Sequence, residues 1–167
     1  MRRPRRRGRR RHPAYAGPVT ASRFDEPARA VALADVTEEP LDVEAHAALV
    51  GSRAAGAVVT FSGVVRDHDH GAGVDRLVYV AHPTAGRVLA EVVADVTARH
   101  PVDAVAVSHR TGPLAVGEVA LAVAVSAAHR GEAFTAAAAL VDEVKDRLPV
   151  WKHQFLADGT DEWVACP

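Results

Sequence analysis

The sequence predicts an α+β domain. Apolar runs of period two and of period near 3.6 both occur, and they follow one another without the strict strand–helix–strand order of a doubly wound sheet. A chain of 167 residues, 49% of them apolar, is long enough to bury one core and is most simply a single domain with a tail.

Each element has a local reason. ARAVALADV (28–36) reads as a strand, and DVEAHAALVG (42–51) as a short helix ending at Gly51. GAVVTFSGVVRD (56–67) is a second strand, with Val59, Phe61 and Val65 on one face and Thr60, Ser62 and Arg66 on the other. DHDHGAG (67–73) is a turn and DRLVYVAH (75–82) the returning strand, so these two strands are expected to form a hairpin. TAGRVLAEVVADVTARH (84–100) is an amphipathic helix stopped by Pro101. DAVAVSHRTG (103–112) and GEVALAVAVSAAH (117–129) are strands on either side of a turn containing Gly112 and Pro113. In the second of them, Val119, Leu121, Val123 and Val125 alternate with Ala120, Ala122 and Ala124, so a large face and a small face should both be covered. Residues 131–148 form the long helix, which Pro149 ends. VWKHQF (150–155) then returns as a strand, and a last short strand lies around EWVAC (162–166).

Charge is segregated. Residues 1–17 hold eight arginines and no acid, which leaves a formal net of −9 on residues 18–167. The opening block has Pro and Gly and no apolar run behind it, so it reads as a disordered arm and not a secretory signal. Such an arm can attract nucleic acid by counterion release, but a solvated tail is the expectation and nucleic acid is not expected as a partner. No run approaches the ~20 apolar residues that span a bilayer, so no membrane role is expected. The one cysteine, Cys166, has no partner for an internal disulfide, which suits a reducing cytoplasm.

Of twenty basic residues only two are lysines, Lys145 and Lys152. An ammonium can give up a proton when desolvated or placed beside another cation, whereas a guanidinium stays charged. At 100° per residue, Lys145 falls within about 40° of a stripe formed by Phe134, Ala138, Val141 and Leu148, while Glu143, Asp146 and Arg147 point elsewhere. Lys145 is therefore expected to line a pocket or snorkel from an apolar face, with the strand after Pro149 bringing Lys152 back beside it.

Arg66 ends a strand on its polar face, a position suited to anion binding. His129 and Arg130 stand at the start of the long helix, where free amides and the helix dipole attract phosphate. Asp67, His68, Asp69 and His70 suggest a metal site on paper. Alternate residues project to opposite sides, however, and no further ligands complete a set, so a polar turn and no metal is the expectation.

Arg130 and Lys145 are separated by fifteen helical residues, roughly 22 Å. If both contact one small ligand, a second copy of the chain must complete the site, which points to a symmetric homodimer.

Three segments, GAVVTFSGVVRDHDHG, SAAHRGEAFTAAAALVDEVKDRLPVWKH and the closing DGTDEWV, resemble the molybdopterin synthase catalytic (large) subunit family. The resemblance runs from Val31 to Val164 and leaves the arginine arm outside. It implies an α/β hammerhead type fold with an added antiparallel β subdomain, without metal or organic cofactor. It also implies a homodimer at the centre of a heterotetramer. Each outer end would carry a small ubiquitin-like sulfur-carrier subunit whose GlyGly C-terminus bears a thiocarboxylate. The implied reaction is sulfur transfer to cyclic pyranopterin monophosphate (precursor Z), which forms the dithiolene of molybdopterin. Carried over by position, the substrate contacts are Val64, Val65, Arg66, His129, Arg130, Lys145, Lys152, His153 and Gln154, with Lys145 and Lys152 catalytic. Arg66, His129 and Arg130 suit the cyclic phosphate; either lysine suits an oxyanion or a proton transfer, each easing the other's deprotonation. The chain departs from the family at Gln154, often an acid in relatives, and at Val80, where Glu is common. It also stops at Pro167, short of the basic tail some members add.

Two other readings remain open from residues alone. One is a dimeric binding module that uses the arginine arm; the other is a scaffold that has kept the partner interface and lost turnover.

Overall fold

The computed structural model describes residues 26–165. The arginine arm and Cys166 lie outside them.

The chain runs β1 (Ala30–Thr37), α1 (Val43–Val50), β2 (Ala57–Val64), β3 (His68–Asp69), β4 (Ala72–Ala81), α2 (Ala85–Arg99), β5 (Ala104–Arg110), β6 (Gly112–Ala115), β7 (Val119–Ala127), α3 (Arg130–Arg147), β8 (Val150–Leu156) and β9 (Asp161–Ala165). Helices and strands start and stop close to where the sequence signals lie. Asp42 caps α1 by accepting from the amides of Glu44 and Ala45. Pro101 and Pro149 lie just beyond α2 and α3.

Two sheets result. The first has the order β1-β5-β7-β2, with β1 parallel to β5 and the other neighbours antiparallel. The alternation in β7 is used as its composition requires. Val105, Val107, Val123 and Val125 join Leu89, Val92, Val96, Leu140 and Val144 in the main core beneath α2 and α3. On the other face Ala106 and Ala124 meet Val50 of α1; their small side chains let that helix sit close. His46 of α1 is a satisfied core histidine, bonded through Nε2 to Ser108 Oγ at 2.8 Å and through Nδ1 to the Asp42 carbonyl at 2.6 Å.

The second sheet is the antiparallel subdomain: β3-β4-β8-β9, with β6 also paired to β4. It corrects two expectations. The strand 56–67 does not form a hairpin with 75–82: β2 pairs with β7 from Ala57↔Ala127 onward, and β4 pairs instead with β8 and β6. The apolar face of β2 is already satisfied in the first sheet, so the chain crosses over after Val64. A tighter hairpin forms inside the supposed turn. His70 and Gly71, at φ of 44° and 86°, make the two-residue link between β3 and β4, a conformation glycine adopts without steric cost. Likewise Gly112 and Pro113 belong to strand β6, not to a turn; the reversal comes at Gly117 (φ 88°).

The buried face of α3 also differs from the expected one. Ala133, Ala136, Ala137, Leu140 and Val144 face the core, while Phe134 is 62% exposed and Ala138 is exposed beside it. Two apolar stripes share this helix. The alanine-rich one faces the core along its length because it allows close approach to the sheet and α2, and Val141 and Leu148 of the other join it only near the C-terminal end.

Candidate active site

A cavity of about 700 Å³ opens where the end of α3 meets the seam between the two sheets. Its floor is apolar, from Phe61, Leu77, Leu121 and Val144. Its charged groups are Arg66, Asp69, Lys145 and Lys152, with Gln154 among them.

Each side chain is delivered by a different element. β2 brings Val64 and then Val65 and Arg66 at its end; Val65 is buried, whereas Val64 is half exposed. α3 brings Lys145 in its last turn. β8 alternates, so Val150, Lys152 and Gln154 face the cavity and Trp151, His153 and Phe155 turn away. Thus Lys145 and Lys152 line one cavity from opposite sides of Pro149. Lys145 is nonetheless exposed in the single chain, although Val141 and Leu148 of its stripe pack against the core. The expected desolvation of this ammonium is not provided by the chain alone.

Lys152 has a partner the sequence reading did not anticipate. Its Nζ donates to Asp69 Oδ2 at 2.7 Å, from a side chain only 17% exposed. Arg66 Nη2 reaches the other oxygen, Oδ1, at 3.2 Å. The bond from Lys152 holds the Asp69 carboxyl below the usual carboxylate range, against the opposing effect of burial, and the Gln154 amide adds a further bond. Gln154 is itself buried and donates to Glu162 of β9. The hydrogen-bond partner of Lys152 is therefore a carboxylate.

Asp69 is the residue that sequence reasoning passed over as part of a polar turn. Within that turn Asp67 pairs with His68 at 2.6 Å, and Asp69 turns inward onto two cations, which is ion-pair geometry rather than a metal ligand set. Among the described residues no three His, Cys, Asp or Glu side chains group as a metal ion requires.

His109 is a second unanticipated wall residue. It is buried, Nδ1 donates to the Arg110 carbonyl at 2.8 Å, and its ring meets Tyr79 edge-on at 5.0 Å. Burial pushes its pKa down to about 4, so the imidazole is neutral at pH 7. No periodicity marks a histidine in a strand as cavity-facing.

Three residues named from sequence are not at this cavity. His129 and Arg130 are exposed at the far, N-terminal end of α3, where Glu132 accepts from the His129 amide at 3.2 Å. Their distance from Lys145 along the helix is the one anticipated from the sequence. His153 lies on the opposite face of β8, bonded to Asp161 at 2.6 Å and stacked on Trp163 at 4.3 Å.

The cavity sets three cations and one buried acid over an apolar floor, between the antiparallel subdomain and a helix end of an α+β protein. The chain belongs to the MoaE protein family, whose match covers residues 36–147. It is 39% identical over 132 residues to a molybdopterin synthase catalytic subunit of Nostoc sp., covering 78% of this chain and 80% of that one. It is also 39% identical over 130 residues to molybdopterin synthase catalytic subunit 1 of Mycobacterium tuberculosis, covering 77% and 88%. Among solved structures, molybdopterin synthase from Staphylococcus aureus superposes with a TM-score of 0.72 at 30% identity, covering 77% of this chain and 94% of that chain. A complex of subunits 1 and 2 of molybdopterin-converting factor from Helicobacter pylori shares the fold, with a TM-score of 0.57 at 16% identity over 78% of this chain and 88% of that one.

Proposed function

We propose that this chain is the catalytic subunit of a molybdopterin synthase. It takes sulfur from the thiocarboxylated GlyGly C-terminus of a small ubiquitin-like subunit and passes it to cyclic pyranopterin monophosphate, building the dithiolene. The observation that carries this is the convergence of Lys145, Lys152 and Arg66 on one cavity of about 700 Å³. That volume suits a bicyclic or tricyclic ligand together with an extended peptide tail. In this reading Arg66 holds the phosphate. The thiocarboxylate sulfur bonds to a pterin carbon, and water attacks the resulting thioester carbonyl. The lysines stabilise that oxyanion or take up the water's proton as the acyl carbon–sulfur bond breaks, leaving sulfur on the pterin and a carboxylate on the tail.

His129, Arg130 and His153 enter this reading through a second copy of the chain and the partner tail. Two features support a homodimer. His129 and Arg130 have no access to the cavity of their own chain. Phe134 and Ala138 form an exposed apolar patch on the helix that joins the two groups. A small subunit at each outer end would then complete a heterotetramer. The cytoplasmic location read from the single cysteine belongs to the same proposal; among the described residues, no helix is long and apolar enough to cross a membrane.

The test is direct. Purified chain is mixed with a thiocarboxylated small subunit and cyclic pyranopterin monophosphate, and the oxidised fluorescent pterin product is measured. Product formation supports the reading; its absence with a folded, partner-bound chain refutes it.

A further inference from the structure

We infer that Asp69 is a positioning residue of this cavity: an internal anion that fixes the Lys152 ammonium and the Arg66 guanidinium and competes with the incoming anionic ligand for their charge. The inference rests on the catalytic reading of the cavity and adds a residue to it.

The geometry is specific. Asp69 is nine-tenths buried, and both of its oxygens are used, Oδ2 by Lys152 at 2.7 Å and Oδ1 by Arg66 at 3.2 Å. The carboxylate is not on a loose loop. It sits in β3, whose hairpin with β4 closes through His70 and Gly71, and His70 Nδ1 lies 3.4 Å from Oδ1. From behind, the buried Gln154 amide bonds it and is itself tied to Glu162, so β3, β8 and β9 hold one chain of hydrogen bonds. Lys152 is thereby held from a residue 83 positions away in sequence. Among the described residues Lys145 has no such bond, so the two lysines of the cavity are not equivalent: Lys152 is anchored there and Lys145 is exposed. A phosphate or carboxylate entering the cavity must share Lys152 and Arg66 with Asp69. The acid therefore weakens ground-state binding while keeping the ammonium where the reacting group needs it.

The experiment uses the full chain with its small subunit and compares wild type, Asp69→Asn and Asp69→Glu. Two things are measured: the dependence of product formation on pterin concentration, and the binding of inorganic phosphate followed by NMR. Removing the competing charge in Asp69→Asn should lower the half-saturating pterin concentration and tighten phosphate roughly fivefold. Loss of the anchor should lower the maximal rate about tenfold. Asp69→Glu, which keeps the charge, should hold phosphate affinity within about twofold of wild type. A merely structural role would lower the active fraction without tightening phosphate. Unchanged phosphate affinity together with an unchanged maximal rate in Asp69→Asn overturns the inference.

Should Asp69→Asn fail to fold, the wild-type chain decides alone. Phosphate must shift the Asp69 carboxyl carbon and the Lys152 ammonium signals together, and movement of neither overturns the inference. If wild type binds phosphate with those shifts but forms no product, the sulfur-transfer reading falls and the positioning role stands.

Discussion

An ammonium 2.7 Å from a carboxylate and an exposed ammonium with no such bond among the described residues are chemically different groups, even when both line one cavity. That contrast gives each lysine its own prediction. Lys145 is exposed, so Lys145→Ala should leave stability within about 0.5 kcal/mol of wild type, checked by urea unfolding. The same variant should lower product formation at least a hundredfold, as the loss of a group that stabilises developing charge does. Lys145→Arg keeps the charge without an easily lost proton; a comparable loss of rate in that variant would assign proton transfer, and retained rate would assign attraction alone. His109 yields a pH prediction. Burial depresses its pKa from 6.5 to about 4, so the unfolded chain binds the proton first as pH falls. The stability associated with the neutral ring is whole above pH 6.5 and is lost as pH falls through 4, in all about 3 kcal/mol. Denaturant unfolding at pH 7 and at pH 4.5 should therefore show a smaller difference for His109→Phe than for wild type. An equal difference in the two proteins would remove His109 from the account.

At the scale of elements, the site depends on how β2 is seated. Its eight residues pair with β7 in the first sheet, and Gly56 begins that pairing by donating to the Ala127 carbonyl at 3.0 Å. A Cβ at Gly56 would come within 2.4 Å of the Ala128 carbonyl oxygen, a backbone atom with little room to move. Gly56→Ala should cost about 1–3 kcal/mol in denaturant unfolding, as overpacking does. Helix α3 shows why periodicity alone misjudged a face. Phe134 and Ala138 stay exposed, whereas Val141 and Leu148, further along the same apolar stripe, pack against the core beside the alanines. The helix is held to α2 from its polar side too, by Arg147 to Asp95 at 3.0 Å and by Arg99 to Glu143. Only the N-terminal part of the second stripe, Phe134 and Ala138, is left for another surface.

For the whole molecule, the decisive distance is the length of α3, which keeps Arg130 away from its own chain's cavity. In a dimer that shares sites, one protomer supplies Lys145 and its mate Arg130. Arg130→Ala and Lys145→Ala proteins, each inactive alone, should then regain roughly a quarter of wild-type activity after mixing and re-equilibration, because half the dimers are hybrids with one intact site. No recovery, or a stable active monomer in light scattering, would exclude a shared site.

Local sequence was sufficient for what local physics controls. Alternation in β7 named both of its buried faces, Pro101 and Pro149 set the helix ends, and the rarity of lysine singled out Lys145 and Lys152. These signals depend on residues one to four positions apart, which is the range over which strand and helix periodicity act. The choice of partners for β4 is of another kind. Whether it returns along β2 or crosses to β8 is settled by which pairing buries more of both strands, a competition among segments dozens of residues apart. That crossing alone sets Asp69 against Lys152 and places Gln154 behind it, so the acid of the cavity was decided by tertiary structure where no local pattern could mark it.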